Sequence, residues 1–129
     1  MSSFTAFLLE VLVNAAKIDG DAADAEIDAI AAAMTDATKT AYARTDAQAA
    51  IARAALSRAD LVAHLKKSGR AFSKEERMAL LRHLFTVVAA DGKFEEAERT
   101  ALLAYIEAIG FEQAPSVLDA IMQPFRNAV

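Results

Sequence analysis

The stretch "AAKIDGDAADAEIDAI" at residues 15–30 and the stretch "VVAADGKFEEAERTALL" at residues 87–103 share one pattern at an offset of 72 residues. Asp19 falls on Asp91, Gly20 on Gly92 and Glu26 on Glu98. The match extends on both sides: Leu8, Leu9 and Leu12 fall on Leu80, Leu81 and Leu84, while Ile30 and Met34 fall on Leu102 and Ile106. Each unit spells an apolar helix, an Asp-Gly stop, a short turn and a second helix with a glutamate in its first turn. Glycine suits the stop because left-handed backbone costs it nothing sterically. Such a repeat predicts two helical hairpins packed face to face about a pseudo-twofold axis, with the middle of the chain linking and covering them.

The remaining segments also carry helical punctuation. In the first helix, expected over residues 3–18, Phe4, Phe7, Leu8, Val11, Leu12 and Ala15 recur on one wide stripe. A second helix, from about Ala23 into the upper thirties, carries Ile27, Ile30, Ala31 and Met34. Residues 35–44 fit either a fraying helix end or a loop, because Thr35, Thr38 and Thr40 are weak helix formers. Thr45 with Gln48 forms a capping-box pattern that opens a third helix through about Leu56. Ser57 with Asp60 opens a fourth that stops at Gly69, and Ser73 with Glu76 opens a fifth that stops at Asp91-Gly92. The sixth is expected from about Glu95 to Ile109, ended by Gly110. The seventh starts at Pro115, and Pro124 weakens its end. About seven helices with short connections predict an all-α, bundle-like single domain over residues 1–129.

Composition agrees. Of 129 residues, 55% are hydrophobic and much of that is alanine, the best helix former. Four glycines and two prolines are too few to punctuate a β-sandwich. No cysteine is present, which removes disulfides, thiolate nucleophiles and Cys-ligated zinc. No basic residue precedes Lys17, and no apolar run reaches the ~18 residues of a membrane span. A soluble cytoplasmic chain without signal peptide or transmembrane helix is the expectation, with peripheral membrane association still open.

The net charge is −4, which argues against a protein built to coat nucleic acid. Its distribution is uneven. Residues 1–35 carry six acids against one base, residues 36–70 seven bases against three acids, and residues 71–129 nine acids against six bases. Arg53, Arg58, Lys66, Lys67 and Arg70 in the basic middle are candidates for docking a protein partner or an anionic surface. They are not interleaved with aromatics, as single-stranded nucleic acid would require. Charged solvated helix faces account equally for the same residues.

An apolar helix, Asp-Gly, and a glutamate seven residues after the aspartate, occurring twice in a small helical chain, resembles the TerB-like (tellurite-resistance protein B) family. The resemblance covers residues 4–35 and 73–112 most firmly. It implies a small stress-response binding module linked to tellurium oxyanions, of a family whose acidic clusters are associated with divalent cations. By resemblance the metal-site positions are Asp19, Glu26, Asp91 and Glu98, with Asp21, Asp24, Glu95, Glu96 and His83 as further ligands. Carboxylate oxygens suit Ca²⁺, Mg²⁺ or Mn²⁺, and Zn²⁺ completes the candidate cofactors. The competing reading is turn chemistry alone: aspartate before a helix-ending glycine, and glutamate reaching back to loop amide hydrogens. In that case the chain is a purely structural interaction domain docking through its basic middle.

Other chemistries fit less well. An EF-hand needs acids at loop positions 1, 3 and 5 and glutamate at 12, whereas counting from Asp19 places Ile30 at 12 and counting from Asp91 places Leu102 there. No glycine-rich phosphate loop and no nucleophile elbow is present, so no enzyme is expected. His83, inside an apolar helix, also fits a partly buried, hydrogen-bonded histidine.

Overall fold

Helix α1 (Ser3–Ile18) lies at the centre of the fold and packs against four other helices, α2 (Asp24–Thr38), α3 (Arg44–Arg53), α4 (Arg58–Ser68) and α5 (Lys74–Val88). The chain ends with α6 (Glu96–Ala108) and α7 (Ala114–Asn127), and a short 3₁₀ turn, Gly69–Ala71, joins α4 to α5. The computed structural model describes residues 1–18 and 22–127. Among these the chain is all-α with seven α-helices and no strand, as the periodicity predicts. None of the described helices is long and apolar enough to cross a membrane.

The stripe on α1 is wider than a surface helix needs. Phe7, Leu8, Val11, Leu12, Val13, Ala15 and Ala16 are all buried, as suits a helix covered on most of its circumference. Leu80, Leu81 and Leu84 of α5 are fully buried too, and α1 and α5 form the most extensive helix pair. Ile30 and Met34 of α2, Leu61 and Leu65 of α4, and Leu102 and Ile106 of α6 join the same hydrophobic cluster.

Helix α3 contributes only Ala47 and Ala50 to the buried set. Small side chains give little apolar area; partly buried Ile51 adds to it, and polar ties supplement the packing. Arg44 at its start reaches Asp24 at 2.6 Å and Asp28 at 2.8 Å on α2. At its end, Lys17 Nζ donates to the Ala54 carbonyl at 2.6 Å and the Ala52 carbonyl at 3.3 Å. Asn14 is buried in α1 and satisfied on both sides. Its Nδ2 donates to the Glu10 carbonyl at 2.8 Å, and its Oδ1 accepts the Leu56 amide hydrogen at 2.9 Å.

Local punctuation is observed at Ser57–Asp60 and Ser73–Glu76, where each serine hydroxyl accepts the amide hydrogen three residues on and each acid side chain accepts the serine N–H. Two expectations are corrected. The Thr45–Gln48 capping box does not form: the N-cap is Ala43, two residues earlier, with no side-chain cap, and Arg44 next to it is tied to α2. The same helix ends at Arg53 rather than Leu56, since the following backbone is drawn to Asn14 and Lys17. The fourth helix stops at Gly69 as expected, without left-handed backbone there, since its φ is −68°. The residues between α2 and α3 resolve into a built turn. Lys39 adopts left-handed backbone with φ 58°, Thr38 Oγ1 donates to the Met34 carbonyl at 2.7 Å, and Tyr42 N–H donates to Thr35 Oγ1 at 3.0 Å.

Both helix–loop–helix units of the repeat are present, but the packing does not confirm a pseudo-twofold axis. Helix α2 packs on α5, whereas α6 packs chiefly on α4 and α7.

Gly69 is needed for close approach. A Cβ there would stand 2.8 Å from Ile109 Cγ1 and 3.4 Å from Phe7 Cζ, and Ile109 is fully buried with little room to yield. Gly69→Ala is therefore expected to destabilise the chain by about 1 kcal/mol or more, despite alanine's better helix propensity. Urea unfolding checks this through a lower midpoint at unchanged slope.

Candidate functional site

The second Asp-Gly loop follows α5. Gly92, at φ +83°, takes the left-handed conformation expected of it, and its N–H donates to the Ala89 carbonyl at 3.0 Å. Asp91 Oδ1 accepts the Lys93 amide hydrogen at 2.9 Å, which closes an Asx turn. Phe94 then packs edge-on against Phe85 with ring centroids 5.1 Å apart and anchors the loop to α5. Glu98, in the first turn of α6, reaches back to accept the Glu95 amide hydrogen at 3.0 Å.

The described part of the first loop does the same thing. Glu26, in the first turn of α2, accepts the Ala23 amide hydrogen at 3.1 Å. The two glutamates paired by the repeat therefore serve the same local role, each satisfying a free N–H at a helix start. Asp19 and Asp21, the other candidate acids of this loop, lie outside the described residues.

The start of α2 and the second loop meet. Glu26 from the first turn of α2, and Asp91, Glu95 and Glu98 from the second loop and the start of α6, line one open surface cleft of about 430 Å³ together with Lys93, Ala23, Ala97 and Val88. Among the described residues, four carboxylates against one ammonium make its lining strongly acidic. Among the described residues, however, no group of three or more histidines and acids is already set to hold a metal ion. At rest, one oxygen each of Glu26, Asp91 and Glu98 is turned toward backbone amide hydrogens.

The secondary candidates divide. Glu95 lines the cleft. Glu96 is exposed in the first turn of α6. Asp24 is engaged with Arg44. His83 faces Asp36 instead, with Nε2 3.5 Å from Oδ2. Asp36 follows Glu26 by roughly three turns of α2, on the order of 15 Å along the axis, and His83 is not part of the cleft lining. Burial pushes the His83 imidazole below the ordinary histidine range, and the nearby Asp36 carboxylate opposes that only in part.

The basic residues do not form one patch. Arg53 lines a groove between α1 and α3 beside Glu10. Lys66 and Arg70 line another between α4 and α6 with Val62 and Glu107. Arg58 and Lys67 are exposed. Arg70 is committed to the end of α6, its Nε donating to the Ala108 carbonyl at 2.9 Å and its Nη2 to the Glu107 carbonyl at 3.4 Å. Arg77, which sequence reasoning missed, joins it. Its Nη1 donates to the Ile109 carbonyl at 3.1 Å, its Nε to the Phe72 carbonyl at 3.1 Å, and its guanidinium lies 5.0 Å from the Phe111 ring centroid.

The family model of tellurite resistance protein TerB matches residues 5–118. The chain belongs to the TerB family. The TerB match runs from α1 into α7, so it takes in both Asp-Gly loops, the acidic cleft and the basic middle. No curated protein and no solved structure is significantly similar to the chain.

Two outcomes follow from this geometry. Glu98→Ala removes an N-terminal cap and is expected to cost about 0.3–1.5 kcal/mol without any added ion, whereas Glu98→Gln keeps an acceptor at the same place and loses less; denaturant unfolding of the two variants separates cap from charge. The second concerns pH. Because the folded state holds the His83 pKa below the ordinary histidine value of 6.5, protonation favours the unfolded chain. Stability from this group is complete above pH 6.5 and falls as the pH drops below it, toward the folded value. Thermal melts between pH 7.5 and about 5 should show that decline; His83→Gln should flatten it, and Asp36→Asn should steepen it.

Proposed function

We propose that this TerB-family chain is a small cytoplasmic stress-response binding module, not an enzyme, and that it takes up a hard divalent cation in the cleft between the start of α2 and the second Asp-Gly loop. The supporting observation is that Glu26, Asp91 and Glu98, three of the four positions expected from the doubled motif, line one cleft together with Glu95. Oxygen-only donors favour Ca²⁺, Mg²⁺ or Mn²⁺ over softer metals.

Carboxylates that already accept backbone amide hydrogens, at Glu26, Asp91 and Glu98, favour an ion that keeps part of its water. Mg²⁺ is the extreme case, commonly held through one or two carboxylates with several waters retained. Six waters of ~30 Å³ each need about 180 Å³, well within a cleft of about 430 Å³. A carboxylate that caps with one oxygen still has a second, so capping and outer-sphere binding are compatible at Asp91 and Glu98. The tellurite-resistance description of the TerB family gives the biological setting of this proposal.

The other reading is an interaction domain without a ligand, which docks a protein partner through α4. The exposed Lys66 and Lys67 favour it. Arg70 contributes less there, because its guanidinium is engaged with α6 carbonyls.

Thermal unfolding after chelator treatment, with and without Ca²⁺, Mg²⁺, Mn²⁺ and Zn²⁺, decides between them. An ion present at about 100 times its dissociation constant stabilises the folded chain by about 2.7 kcal/mol, which raises Tm by several degrees. The shift should vanish when Glu26→Gln and Glu98→Gln are combined, a pair chosen to spare both caps. No shift with any ion at millimolar concentration would overturn the cation reading. Salt-sensitive partner capture that is abolished by Lys66→Glu with Lys67→Glu would then support the second.

A further inference from the structure

We draw no further inference here: the strongest candidate, the apolar groove between α1 and α3 lined by Ala6, Leu9, Val13, Ala50 and Ala54 with Glu10 and Arg53 beside it, carries nothing because nothing in the structure shows what covers it.

Discussion

Burial of α1 is the constraint on which the rest of the fold depends. A helix covered by four neighbours gains apolar area on most of its surface, but every polar group on it must then find a partner inside the protein. Asn14 meets that demand by bonding to its own helix with one end and to the α3–α4 connection with the other. Lys17, one turn further on, closes the end of α3. The two residues that look least suited to a core helix therefore fix the covering helix in place. This is how α3 holds its position although only Ala47 and Ala50 of its side chains are buried.

Features that depend on neighbours in the chain were legible in the sequence. The capping boxes at Ser57 and Ser73 form because donor and acceptor are three residues apart and need nothing else. Gly92 takes positive φ for the same local reason. Features set from a distance were not legible. Thr45 has the right residue three positions on, yet the start of α3 is fixed by Arg44 reaching across to α2. Gly69 sits where a helix stop would, yet its missing side chain makes room for Ile109, forty residues later in the chain. The repeat shows the same division. Its loops share capping chemistry, while the packing of α2 and α6 diverges with the partners each one meets.

For the candidate site, the repeat located Glu26 and Glu98 and assigned them the local role they play, and their meeting in one cleft with Asp91 and Glu95 is supplied by the tertiary structure. His83 was legible as a partly buried histidine, but its partner Asp36 lies on another helix and no spacing rule connects them. The basic middle was the hardest segment to interpret. A run of positive charge says nothing about direction, and Arg70 turns toward the carbonyls at the end of α6 while Lys67 stays in solvent. Arg77 left no signal, because its targets at Phe72 and Ile109 are backbone atoms.

The arginine clamp on α6 and the lysine–asparagine tie on α3 share an order in time. Residues 14, 17, 70 and 77 all precede the helix ends they close, at Ala52, Ala54, Leu56 and Glu107 to Ile109. During synthesis, each of these side chains is made before the groups it bonds at the ends of α3 and α6. A nascent α3 or α6 then has these partners already made when its last turn is complete, and the Ile51, Ile106 and Glu107 carbonyls wait only for the amide hydrogens of the next few residues.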